Sequence, residues 1–192
     1  MFPERKMKKF SHMLCFFMFF TLLSSCERAD YTYEILDTYW DAKRNTTSGA
    51  VIDGNMWSAA SQSGYLDWQE AVSYCKNLNE LGYSDWKLPT VDKLRTLIRN
   101  CSKTETGGSC PVTDNCINND DCIYSEEECR CDLIYNDQEG YYSKLDDHWL
   151  SFWSSDNAWD SDHAWVVYFG TAEVSYFSKD DLMHARCVRK AD

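Results

Sequence analysis

Proline, basic charge and long apolar runs are all scarce in this chain. Its 192 residues hold three prolines, Pro3, Pro89 and Pro111, which excludes a polyproline linker or ligand. The eight glycines follow no Gly-X-Y period, and there is no heptad run or low-complexity tract. The GxSxG elbow, the HExxH helix and the glycine-rich phosphate loop are all missing, so none of the reactions they announce is signalled. The longest apolar stretch, Met13–Leu23, is shorter than the roughly 20 residues a helix needs to cross a bilayer. Basic residues number 19 against 31 acidic ones, and Arg5, Lys6, Lys8 and Lys9 stand against a lone Glu4 at the N-terminus. Without that end, 15 basic side chains face 30 acidic ones, a net charge of −15. Such a body repels nucleic acid and other polyanions at long range. No nucleic-acid partner is expected, and a polyanionic glycan would need a local basic patch.

What the chain does have is cysteine, ten in all, and their positions partition them. The basic start followed by Met13–Leu23 reads as an export signal. Cys15 lies inside it and leaves with it. Leu23-Ser24-Ser25-Cys26 resembles a bacterial lipobox, in which the cysteine is acylated and becomes the mature N-terminus. The expected organisation is a signal at 1–25, a lipidated N-terminus and tether at 26–48, and one domain at 49–190. More than one acyl chain on Cys26 would anchor the protein stably to a membrane it does not cross. The expected location is the bacterial cell envelope. Eight body cysteines remain, an even number suited to disulfides in an exported chain.

Asp67 and Glu70 form a capping-box pattern ahead of Trp68, Ala71, Val72, Cys75 and Leu78, which recur on one helical face. Leu81-Gly82 offers a stop. Pro89 keeps Leu88 extended, and Thr90 can cap a second helix whose stripe is Leu94, Leu97 and Ile98, closing at Cys101. The insert 101–131 holds Cys101, Cys110, Cys116, Cys122, Cys129 and Cys131 among polar residues. It cannot bury enough apolar surface to fold by that means alone. Three disulfides are expected there, with 15 possible pairings, rather than a zinc knuckle. Strand-like runs follow at 149–154, 164–169, 174–177 and 185–189. The sum is an α+β fold.

Four landmarks, in order, resemble the Lcl C-terminal domain family. They are Gly54-Asn55-Met56-Trp57-Ser58; the helix Trp68 to Leu78; Gly82-Tyr83-Ser84-Asp85-Trp86-Lys87-Leu88-Pro89-Thr90 with Leu94; and Phe152-Trp153-Ser154-Ser155 with Arg186-Cys187-Val188-Arg189. The resemblance covers roughly 49–190, and the cysteine-rich insert departs from it. It implies a C-type-lectin-like frame of two helices on antiparallel strands. It also implies a disulfide between Cys75 and Cys187, and an extracellular ligand-recognition role; the adhesin of the family binds sulfated polysaccharides.

The expected function is therefore non-catalytic ligand binding, carbohydrate- or adhesion-related. Candidate ligand residues are Arg95 and Arg99, on one side of the second helix within the basic group Lys87, Lys93, Arg95, Arg99 and Lys103. Trp159 is the third, expected to be the most exposed of Trp149, Trp153, Trp159 and Trp165 because Asp156, Asn157, Asp160 and Asp162 flank it. Trp153 and Trp165 are expected in the core. No metal and no cofactor are expected: the Glu-Pro-Asn and Gln-Pro-Asp triplets of calcium lectins are absent, and the acidic groups at 118–121 and 126–128 lack the alternation of a calcium loop. The alternatives are an enzyme of the formylglycine-generating type, which needs free thiols, and a purely structural envelope protein. His148, His163 and His184 with Asp146, Asp147 or Asp162 are the other residues from which a catalytic site could be built.

Overall fold

A computed structural model describes residues 48–61, 64–116, 122, 127–133, 141–147 and 149–192. Cys15, Cys26, the tether, the acidic group 118–121, Glu126 and His148 lie outside them. The chain opens with a hairpin, β1 (Ala50–Ile52) and β2 (Asn55–Ala60). Asp53 and Gly54 turn it with φ of 48° and 73°, the two positive values that a tight two-residue hairpin turn requires. β6 (Arg186–Lys190) pairs antiparallel with β2, so the first and last strands share one sheet in the order β1-β2-β6. Their register slips between Trp57 and Ala60. There Ser58 Oγ accepts the Cys187 N–H at 2.8 Å.

Helix α1 spans Trp68–Asn77. Asp67 caps it, accepting the Glu70 N–H at 2.7 Å while the Glu70 carboxylate receives the Asp67 N–H. Ala71 and Cys75 are fully buried. The helix stops four residues short of the expected Leu81. Leu78 turns extended and Glu80 bridges to Tyr83, so Leu81 and Gly82, at φ 56° and 82°, form that turn rather than a helix cap. Helix α2 is only Val91–Arg95, capped by Thr90, and not the longer helix expected to reach Cys101. Past Arg95 the backbone takes another partner: the Arg99 N–H donates to Tyr142 O and Ile98 bridges to Ser143.

Strands β3 (Ser151–Ala158), β4 (His163–Tyr168) and β5 (Glu173–Ser178) form an antiparallel meander. Both of its faces are covered. Alternate residues Phe152, Trp165, Val167 and Val174 enter one cluster with Leu94, Leu97, Ile98, Trp57 and Val112. Trp153, Ala164 and Val166 enter a second with Ala71, Cys75, Trp86 and Cys187. A tryptophan buries about 150–250 Å², so Trp57, Trp153 and Trp165, each fully buried, dominate the two cores. The indole of Trp153 donates to Leu66 O at 2.9 Å, which offsets the burial of its N–H.

The helices and the two antiparallel sheets make an α+β protein. No helix of the described residues is long and apolar enough to cross a membrane. A disulfide joins Cys75 on α1 to Cys187 on β6 across 112 residues. A bridge closing a loop that long stabilises by roughly 4–5 kcal/mol in the chain-entropy view. The insert carries three nested disulfides, Cys101–Cys131 outside Cys110–Cys129 outside Cys116–Cys122. It is not an appendage. Val112, Cys110, Cys116 and Cys129 are buried in the first cluster. Its returning leg meets the β4–β5 region: Cys131 N–H donates to Thr171 O and Val174 N–H to Cys129 O, both at 2.9 Å.

Candidate functional site

The sequence-level candidates disperse. Arg95 is 3% exposed, which removes it from the expected solvent-facing basic face. Its Nε donates to Thr104 O at 2.8 Å, Nη2 to Glu105 O at 3.2 Å, and Nη1 to Val112 O. The guanidinium is the hub on which the insert's first half is folded. Desolvation lowers its pKa, opposed by the nearby Asp92. Arg99 stays partly exposed and bonds Asp146 at 3.1 Å and Tyr141 O at 3.2 Å. The histidines separate too. His184 is buried against Tyr65 and Phe152, while His163 faces Asp160 at 2.8 Å. Asp147 goes to Arg186, fully buried on both sides. All eight body cysteines are in disulfides, so none presents a thiol. No group of three or more potential metal ligands gathers among the described residues.

A cleft of about 620 Å³ opens between α1 and the extended segment 84–90. Trp68, Val72 and Lys76 reach it from one face of α1, at i, i+4 and i+8. Lys87 comes from the extended segment and Lys93 from α2. The extended segment is fixed by Lys87, whose backbone exchanges both hydrogen bonds with Val188 of β6 at 2.8 and 2.9 Å. Trp86 is buried beneath, its indole donating to Tyr83 O at 3.1 Å. The indole of Trp68 donates to Ser154 O at 2.8 Å, which sets the ring in place. Lys179 Nζ lies 4.2 Å from the centre of that ring.

The electrostatics of the cleft run against those of the body. Lys76, Lys87 and Lys93 are exposed, and none of the three makes an ion pair with a described residue. Among the described residues lining the cleft the one carboxylate is Asp85, and it is engaged by Arg189 at 2.7 Å. That hydrogen bond, the largest influence, holds the Asp85 pKa below the ordinary value. Arg189 is itself stacked 3.7 Å over Tyr83 and bonded to Asp192. Three exposed ammonium groups around a tryptophan can hold an anionic, partly apolar ligand such as an acidic sugar. Lys87 and Lys93 belong to the basic group seen in the sequence. Trp68 and Lys76 were missed as site residues. The signal for them was the α1 periodicity, where Trp68, Val72 and Lys76 fall on one stripe beside the Ala71–Cys75 core stripe.

Trp153 and Trp165 are fully buried, and Trp159 is 41% exposed at the β3–β4 turn. Trp149, just ahead of β3, is 46% exposed, so it and not Trp159, as expected, is the most exposed of the four. Two comparisons bear on the whole chain. The family model of the Lcl C-terminal domain matches residues 39–189. No curated protein matches the chain.

Proposed function

The chain belongs to the Lcl C-terminal domain family, and on that footing we propose that it is a lipid-anchored cell-envelope protein whose domain binds an anionic glycan without catalysis. The observation that carries this reading is the cleft of Lys76, Lys87, Lys93 and Trp68 on an otherwise acidic body. The leader and Cys26 supply the anchoring half of the proposal. The finer fold assignment, C-type-lectin-like, is part of it as well. What supports it is the pairing of the first and last strands in one sheet and the disulfide from α1 to β6.

Retention on immobilised heparin at low salt tests the binding. Wild type should be retained and should elute as salt rises, because exposed charge pairs are screened. The triple variant Lys76→Glu, Lys87→Glu, Lys93→Glu should lose at least tenfold in affinity, with its thermal unfolding little changed because all three side chains are solvated. Wild type passing straight through at low salt sinks the reading.

A further inference from the structure

The hairpin between β3 and β4 puts a tryptophan where the backbone least favours one. Trp159 has φ of 55°, a left-handed conformation in which a bulky side chain is strained. The turn is nonetheless fixed. Asp160 Oδ1 accepts the N–H groups of Asp162 at 2.8 Å and His163 at 3.0 Å, and it faces His163 Nδ1 at 2.8 Å. The indole that results is held outward but buttressed. Its centre lies 5.8 Å from Tyr176, with the rings at 70°, and 6.3 Å from buried Trp165. Tyr176 in turn stands edge-on to Trp165 and to His163, both at 5.8 Å. Trp159 is 41% and Tyr176 40% exposed. The outcome is a rigid corner of two steeply inclined aromatic rings, both open to solvent.

We propose that this corner is a second binding site, for an uncharged pyranose. The apolar face of the sugar lies on the Trp159 indole and its edge meets Tyr176. Its hydroxyls donate to the neighbouring carboxylates of Asp160 and Asp162. Three features select that ligand. Two rings offer far less than the roughly 800 Å² per partner that a stable protein interface buries, so the site suits a single sugar ring. The polar rim is acidic, which repels uronic or sulfated sugars and separates this site from the lysine cleft. Lys179, which follows β5, donates to Ser161 O between the two aspartates and to Asn157 Oδ1, so it offsets one of the two carboxylate charges and leaves the rim acidic by the other. Stacking alone gives little affinity per contact. Holding the rings in place beforehand lowers the ordering cost.

The test is an array of neutral and acidic glycans probed with the full mature protein, followed by titration of the best neutral binder. Wild type should bind at least one neutral pyranoside. Trp159→Ala should weaken it tenfold or more and Tyr176→Ala by less, with unchanged unfolding curves because both rings are surface groups. The triple lysine-to-glutamate variant should bind the neutral glycan as wild type does, so failure of the lysine-cleft reading leaves this one standing. Wild type binding no neutral glycan overturns the proposal, as does equal binding by Trp159→Ala. Binding of choline, with no neutral sugar bound, would mean that the corner takes a cation instead, and would overturn it too.

Discussion

At the scale of single residues, Asp156 is the group whose titration the fold changes most plainly. Its carboxylate receives the Val91 N–H at 2.7 Å beside Asp92 and Asp114, whose carboxylates exchange hydrogen bonds with each other's backbone N–H groups. Burial, reinforced by the charges of Asp114 and Asp92, raises its pKa to about 6 against the lowering effect of the Val91 N–H. A carboxyl whose folded pKa is raised holds its proton more tightly in the native state. Its contribution to stability is therefore fully present below the unfolded value of 3.8 and is lost as pH rises through about 6. Solvent screening reduces the effect to the order of 1 kcal/mol. Asp156→Asn keeps an acceptor for Val91 and cannot ionise. Urea unfolding at pH 4.5 and 7.5 should show the variant gaining on wild type at the higher pH by about that amount. A constant difference between the two proteins would remove Asp156 from the account.

Among the elements, the insert is the one whose burial composition hid. It looked like polar chain held by cysteines alone, yet it closes the larger core with Val112 and is gripped by Arg95. Arg95→Met would strand the carbonyls of Thr104 and Val112 in a buried site, while Glu105 O keeps the Gly108 N–H at 2.8 Å. Leaving buried acceptors unpaired costs about 1–3 kcal/mol each before relaxation. The expected loss is about 2–4 kcal/mol in urea unfolding, with faster hydrogen exchange over 101–116 and the disulfides intact. Arg95→Lys should recover little, since one ammonium cannot reach three divergent carbonyls. An unchanged midpoint for Arg95→Met would show that the disulfides alone hold the insert. The helices taught a related lesson. The capping box fixed the start of α1, because a cap is a local exchange between Asp67 and Glu70. Neither helix end was local: α1 yields to the Glu80–Tyr83 turn, and α2 to pairing with the 141–144 segment. The Asp53-Gly54 hairpin, by contrast, is encoded locally. Its turn signal lies between Val51-Ile52 and Met56-Trp57.

For the whole molecule, covalent state and location are coupled. Intact mass of the protein taken from the membrane fraction should show loss of residues 1–25 and an acyl-modified Cys26. Reduction should then add two hydrogens for each of the four body disulfides. An unmodified Cys26 would end the lipid-anchor proposal and leave the domain's binding chemistry untouched. More added hydrogen than four bridges supply would mean a chain that keeps its leader and joins Cys15 to Cys26.

The amino-acid sequence alone is enough for the family, the α+β class, the places of the later strands and the burial of Trp153 and Trp165, though not of Trp57 and Trp86. Each depends on residue type and short-range periodicity: Trp153 and Trp165 fall on apolar alternations, while Trp159 sits among Asp156, Asn157, Asp160 and Asp162. The nesting of the insert's disulfides and the burial of Arg95 emerge from the folded chain. Folding alone brings Lys76, Lys87 and Lys93 to one cleft, and Tyr176 against Trp159. Those outcomes rest on contacts between segments distant along the chain, chosen by how two cores close around one sheet, and no local pattern encodes that choice.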